Sequence, residues 1–470
     1  MAIAGTSGAG DVVQTLSLSF LGRAADPEAR GFLAGFVNLE DPAAVAELSD
    51  LFVSSEEFRD SFAGGSSENF LRSVVFNLFD RNAGVEEVEF WTDRLDDGGL
   101  DRADLPAALL EAARESDLEA FRAKLFIADY FTDQAERGGW VPDALTRPGL
   151  RSNAELYADL NALDARYDTL SLEVAGRSLD GNPLYAATVG TGETRLMFIT
   201  QQHGGEPIGT EAALYLLDFL SEDTEAARAL REEVTVTVVP RVNPDGFARW
   251  EREVGGERGL VGPRFNNEGV DLNRTYDPEA PFDAGRAPES AAVTALLDSF
   301  DPAFIFDYHG QGNYRDAEGE LDTMSVLWPT NTGVDPAIVD ASKRAVAAVA
   351  ASLGESEYDR LTLYPGETNP AIARNGFSLA GTPGVLVEQR FGQEMTELAR
   401  GLDLDYSALI SALALEGFIT MRGLVGAAAD GSLETLDPAL ADQIPARSPN
   451  IRYADLYGDD RYVVEQILVA

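Results

Sequence analysis

Two spacings of apolar residues divide this chain. Up to residue 138 they recur three and four apart, as in Val12-Val13-Leu16-Phe20, Phe70-Val74-Val75-Leu78-Phe79 and Leu118-Phe121-Leu125-Phe126, the stripe of helices that bury one face. Within it, Leu21-Gly22-Arg23-Ala24-Ala25-Asp26-Pro27-Glu28 with Phe32-Leu33 returns 58 residues later as Phe79-Asp80-Arg81-Asn82-Ala83-Gly84-Val85-Glu86 with Phe90-Trp91. Two copies of one helical unit, packed face to face, would bury what neither buries alone. Residues 139–152 mix Gly and Pro without periodicity and read as a linker. Beyond them the pattern alternates: helix 153–163, strands 172–174 and 184–188 about the turn Asp180-Gly181-Asn182-Pro183, strand 195–200, helix 209–220, strand 234–239, helix 288–299, strand 303–308, helix 336–353 and strand 384–388. This order predicts an α/β domain over 153–425, with a mixed central sheet and helices on both faces, preceded by an all-α domain over 1–138 and followed by an extension over 426–470.

Charge and composition narrow the partners. With 80 acidic against 36 basic residues the chain carries a net charge of −44, which argues against nucleic acid, whose phosphates need clustered Lys and Arg. Lysine occurs only at Lys124 and Lys343. With no cysteine, disulfides and thiolate metal sites are excluded, and any metal must use His, Asp or Glu. No run approaches the ~20 apolar residues of a membrane span. Met1 to Val13 lacks the basic and apolar stretches of a cleavable signal. The tail Tyr462-Val463-Val464-Glu465-Gln466-Ile467-Leu468-Val469-Ala470 is short and apolar. It resembles the uncleaved export signals of one-step secretion, and it also reads as a terminal strand or helix.

Both of the chain's histidines end apolar runs. His203, in Gln201-Gln202-His203-Gly204-Gly205-Glu206, follows Leu196-Met197-Phe198-Ile199, and His309 closes Phe304-Ile305-Phe306-Asp307-Tyr308-His309. In open α/β sheets ligands gather at the carboxyl ends of strands. His203, Glu206 and His309 make a three-ligand set that leaves a fourth position open, which points to one catalytic zinc ion. Asn273-Arg274 pairs an amide with a guanidinium suited to gripping a carboxylate. Glu388, in Val385-Leu386-Val387-Glu388, places a carboxylate in an apolar strand, where it serves as a base facing water on the metal or as a structural partner of Arg390. Asp96-Asp97-Gly98-Gly99 has the residues of a calcium site without an EF-hand's spacing, and reads as a solvated turn.

Over residues 153–420 the order His-x-x-Glu, Asn243-Pro244-Asp245-Gly246, Gly269-Val270-Asp271-Leu272-Asn273-Arg274, strand-His and strand-Glu resembles the zinc metallocarboxypeptidases of the carboxypeptidase A family. The resemblance implies hydrolysis of the C-terminal peptide bond of peptides or proteins. It makes His203, Glu206 and His309 the zinc ligands, and Glu388 the general acid/base. Asn273 and Arg274 become the clamp on the substrate carboxylate, Asp271 the group orienting His203, and Tyr364 the mobile tyrosine that closes over substrate. Arg264 takes the oxyanion, with Arg258 as its rival. Thr275 stands where the family usually has asparagine, and the specificity segment around Ala371-Ile372-Ala373-Arg374 does not align. The alternative function is a related zinc amidohydrolase acting on cell-wall peptides or N-acyl amino acids. The N-terminal region, with its Leu-Gly-Arg turn and Ser55-Glu56-Glu57-Phe58, resembles helical modules of surface-layer and calcium-repeat exported bacterial proteins. This implies an extracellular or cell-surface location and a surface component as partner, with a cytoplasmic location as the alternative. An inhibitory segment cut near Arg137, Arg147 or Arg151 is the competing role.

Overall fold

A computed structural model describes residues 8–132, with short internal breaks, and residues 149–447 apart from 255–261, 313, 315–321, 355–359 and 392–405. These form two compact units, one up to Gly149 with Tyr406–Ala412, the other holding the remainder from Leu150. Arg258, the tail 462–470, residues 56–57 and the turn residues 22–24 and 80–82 lie outside the described residues.

In the first unit, the helices Ala9–Leu21 and Ser67–Phe79 begin 58 residues apart and end 58 residues apart, the offset of the sequence repeat. Their stripes meet: the Phe20 and Phe70 rings stack with centroids 6.5 Å apart, and Phe58 meets both edge-on. Helices Pro42–Val53, Val85–Asp96 and Leu105–Ala112 add to the unit's described core, as do Phe58, Phe121 and Leu125. Asp96 ends the helix that begins at Val85, and Asp97–Gly99 form the turn after it, with Gly98 at φ 77° and the Gly99 N–H on the Asp97 carboxylate.

The second unit is an eight-stranded mixed sheet: β1 (Leu170–Arg177), β2 (Pro183–Val189), β3 (Thr194–Thr200), β4 (Val234–Val239), β5 (Phe304–Gln311), β6 (Met324–Leu327), β7 (Leu361–Leu363) and β8 (Gly384–Arg390). Their spatial order is β1-β2-β4-β3-β5-β8-β6-β7. The central four, β4-β3-β5-β8, run parallel and are buried almost throughout, as expected of strands covered on both faces. Side chains alternate between those faces. Met197, Ile199 and Ile305 pack with Val293, Leu296, Ala373 and Phe377 of the helices Pro288–Phe300 and Ala373–Leu379. Phe198 and Phe306 stack in the opposite layer, and Tyr308 there hydrogen-bonds Thr420.

β6 and β7 were not expected; with four and three residues they are too short to show a period. The helix Tyr406–Ala429 also runs past 425. Beyond it, Ser432–Thr435 and the 3₁₀ helix Pro438–Gln443 pack on the helix Pro336–Gly354, and Ala446 bridges to Leu363 of β7. The supposed extension therefore belongs to the sheet unit as far as Arg447, because β7 offers it an unpaired edge. Arg151, placed in the linker, forms ion pairs with Asp159 and the buried Glu211.

Candidate active site

After β3 the chain goes to β4 on one side and returns to β5 on the other. This reversal opens a crevice at the carboxyl ends of β3 and β5. Gln201 leads into it with a left-handed φ of 57°, a strained conformation for a non-glycine. Its side chain is fixed from three directions: it donates to Gly204 O (2.8 Å) and accepts from Thr210 (2.7 Å) and buried Arg241 (2.7 Å). Burial lowers the Arg241 pKa to about 10, so the guanidinium stays charged at neutral pH. A Cβ on Gly204 would lie 2.1 Å from the Gly246 backbone, so only glycine fits there. The Asn-Pro-Asp-Gly motif is thereby explained as scaffolding. Asn243 donates to Gln202 O (3.0 Å), and Asp245 accepts from Ser178, Asp180 N and Asn182 in the β1–β2 turn.

That loop delivers His203 against His309. Their Nδ1 atoms lie 3.1 Å apart, with Glu206 oxygens 2.9 Å from the first and 2.8 Å from the second. Zinc–nitrogen bonds of about 2.0–2.1 Å in a tetrahedron separate two nitrogens by about 3.3 Å, so the spacing fits one ion. Each Nε2–H meets a carboxylate, His203 on Asp271 (3.1 Å) and His309 on Asp307 (3.0 Å). This leaves both Nδ1 lone pairs facing the shared point. The electrostatics agree. Burial alone would strip charge from His309, but the Asp307 and Glu206 carboxylates hold its pKa well above the usual value. Burial would also raise the Glu206 pKa, yet the two histidines pull it well below the carboxylate range. Two donor nitrogens and a carboxylate thus face a spot that draws positive charge. Among the described residues these three form the one cluster able to hold a metal.

The cleft around them measures about 310 Å³. Glu388 enters it from β8, where its Cα pairs with that of His309. Burial pushes its carboxyl up to about 7, against the pull of His309. Arg390 is paired with Glu416, not with Glu388. Arg264 reaches Asp271 (2.9 Å) and approaches His203 Nδ1 (3.4 Å). Arg274 and Tyr364 also line the cleft, and Glu388, then burial, raises the Tyr364 pKa. Asn273 lines it: Oδ1 accepts from Ala373 N (2.8 Å), while Nδ2 lies 3.2 Å from His309 Nε2, whose proton is directed at Asp307, so the two donors are neighbours and not a hydrogen-bonded pair.

Three further residues stand at or against the cleft without a role assigned from the sequence. Asp307 was legible in principle, because residue i−2 of a strand shares the face of His309. Arg374 stands in the segment that did not align. Arg447, from the supposed extension, stacks on Tyr314 and Tyr364 with its guanidinium carbon 3.7 and 4.5 Å from the ring centroids.

Comparison with known proteins bears on the same region. Residues 156–314 match the family model described as zinc carboxypeptidase, and residues 49–117 match a domain of unknown function, DUF4214. An uncharacterised protein of Zymomonas mobilis is 32% identical over 159 residues, 33% of this chain and 38% of that one. Carboxypeptidase D of Mus musculus is 27% identical over 147 residues, 29% of this chain and 10% of its own. The chain therefore spans well under half the length of these curated relatives. A metallo-carboxypeptidase structure from Burkholderia cenocepacia overlaps 60% of this chain and 70% of its own at 20% identity, with a TM-score of 0.47. The family match contains His203, Glu206 and His309 and ends before Glu388. Over residues 156–314 this chain is similar to the zinc carboxypeptidases, and the metal that family implies fits the donor atoms converging there.

Proposed function

We propose that the sheet unit is a zinc metallocarboxypeptidase that removes the C-terminal residue of peptides. The observation that carries this reading is the convergence of His203 Nδ1, Glu206 and His309 Nδ1 in one cleft with buried Glu388 and Arg274. Zinc, held by those three residues, supplies a Lewis acid that polarises the scissile carbonyl and lowers the pKa of water. Glu388 takes a proton from the attacking water on its carboxylate and returns it to the leaving amine. Burial raises its pKa while bound zinc would act to lower it, and a carboxyl balanced between the two can both accept and donate a proton. Arg264, braced by Asp271, donates to the developing oxyanion, a contribution of roughly 3 kcal/mol per donor. Arg274 holds the terminal carboxylate and so sets which bond is cut. Asn273 holds the start of the helix at Ala373 through its Oδ1, and Tyr364 closes over the bound residue.

The test uses the full chain with zinc and peptides bearing free or amidated C-termini. Release of the last residue from free C-termini alone is expected. Equal cleavage of amidated peptides would remove the Arg274 clamp and leave the amidohydrolase alternative.

For the helical unit, similar over 49–117 to a domain of unknown function, we propose an export or attachment role through a surface component. Among the described residues no helix is long and apolar enough to cross a membrane. Fractionation of a bacterial host expressing the chain tests this, and retention of all of it in the cytosol would discard the reading.

A further inference from the structure

The cleft is cationic, although the chain carries a net charge of −44. Arg264, Arg274, Arg374 and Arg447 line it; besides the metal-site Glu206, its acidic residues are Glu367 and Glu388. Three of these arginines have identifiable positions. Arg264 is paired with Asp271, Arg274 stands 36% exposed with Glu367 at 4.0 Å, and Arg447 donates to Gln311 and stacks on two tyrosines.

Arg447 also is buried and in no ion pair among the described residues, with its Nε unpartnered, but its guanidinium is covered by the two tyrosine rings; Arg374 is the more deeply buried of the two and has no ring over it. It is 3% exposed, and its Nη2 donates only to neutral acceptors, Glu367 O (2.8 Å) and Thr330 Oγ1 (3.3 Å). Its buried Nε has no hydrogen-bond partner, and no carboxylate stands within ion-pair distance among the described residues. Burial lowers its pKa to about 10, with Tyr364 and Glu388 acting to raise it and Arg274 to lower it further, so it remains charged at neutral pH. A buried cation without an anion is costly, and is expected where a ligand supplies the anion. The pocket is built to keep it there. Gly366 curls over the guanidinium, where a Cβ would lie 3.4 Å from Nη2, and Arg374 itself stands in the first turn of the helix Ala373–Leu379.

We propose, on the carboxypeptidase reading above, that this cleft selects an acidic C-terminal residue: Arg374 receives the side-chain carboxylate of glutamate or aspartate while Arg274 holds the main-chain carboxylate. A dianionic residue neutralises two guanidinium groups that otherwise repel each other. A basic side chain would meet Arg374 with no free carboxylate beside it, because Glu388 is committed to chemistry and Glu367 is exposed beside Arg274. Ile372 and Leu386 supply the aliphatic wall against which the methylenes of glutamate lie.

The experiment measures kcat/KM of the zinc-loaded full chain on peptides that differ only in their last residue: Glu, Asp, Gln, Leu or Lys. A Glu over Gln preference on the order of 10- to 100-fold is expected, from one charge-assisted hydrogen-bonded pair, with Lys the slowest. Arg374→Gln should bring the Glu/Gln ratio close to one, and Arg374→Lys should keep part of it. Should Arg374→Gln fail to fold, as judged by thermal unfolding, product inhibition of the wild-type chain decides: glutamate must inhibit at lower concentration than glutamine. Cleavage that favours Leu or Lys over Glu overturns the proposal and leaves the carboxypeptidase reading standing. A Glu preference that survives Arg374→Gln in a folded protein overturns the assignment to Arg374. Failure to cleave any peptide overturns both.

Discussion

The two units bury different kinds of residue. Among the described residues of the helical unit, Asp117 is the one buried charged side chain, and its core is a cluster of Phe, Leu and Val around Phe20 and Phe70. The sheet unit buries Glu211, Arg241, Asp307, His309, Arg374, Glu388, Arg390 and Glu416. In the first unit burial is mainly hydrophobic stabilisation, and the polar side chains buried with it, such as Gln14 and Thr132, are neutral and hydrogen-bonded to each other and to the Ala25 backbone. In the second, charges are retained where burial makes them costly, and several of them surround one cleft.

The largest effect is expected at Glu388. Glu388→Gln should lower turnover on the order of 10³-fold while zinc content and the melting temperature hold, and a near-normal rate would make this burial structural after all. The same residue fixes the pH response. The base form is the ionised one, so kcat/KM falls as pH drops through its pKa. Burial places that pKa near 7 and a bound cation moves it lower; the acid limb should vanish in the Gln variant. Next come two substitutions that contrast the interiors. Phe70→Ala, at a fully buried ring, should cost about 3–5 kcal/mol of stability in denaturant unfolding with kcat unchanged. Arg390→Met strands Glu416, whose side chain is 0% exposed, and should cost about 3–5 kcal/mol, with Glu416→Leu added to it recovering most of the loss. If the double variant is no better than the single, the pair is not an isolated device. A smaller effect is expected at Asp307→Asn, which should weaken zinc roughly 10–100-fold by competition with a chelator; unchanged affinity would mean that Asp271 and Glu206 suffice. The smallest is Arg228→Ala, which breaks an exposed pair with Asp223 and should leave the melting temperature where it was.

Much of the site was readable because its residues sit at the ends of locally defined strands. The runs 196–199 and 304–308 announced β3 and β5, and a histidine at the end of each marked the crevice. Asp307 was passed over, although strand alternation puts it beside His309. Asn273 was assigned to the substrate alone, whereas its amide also lies against His309 and the Ala373 backbone; neither partner is adjacent in sequence. Arg447 lay beyond the supposed end of the domain, and nothing local ties it to Tyr364.

The amino-acid sequence by itself determined the donors. With two histidines and no cysteine, a metal site of this kind combines both imidazoles with a carboxylate, which leaves no histidine to act as the base and points to a second carboxylate for that role. Apolar periodicity settled where the main strands and helices run, because it depends on neighbours a few residues away. Tertiary structure decided the rest. The strand order β3-β5-β8 set His309 beside Glu388, and the strained Gln201 loop turned His203 Nδ1 toward it. Of the many arginines, it brought Arg374 and Arg447 to the cleft. Those choices rest on pairings tens to hundreds of residues apart, which packing of the whole sheet selects and local propensity does not encode.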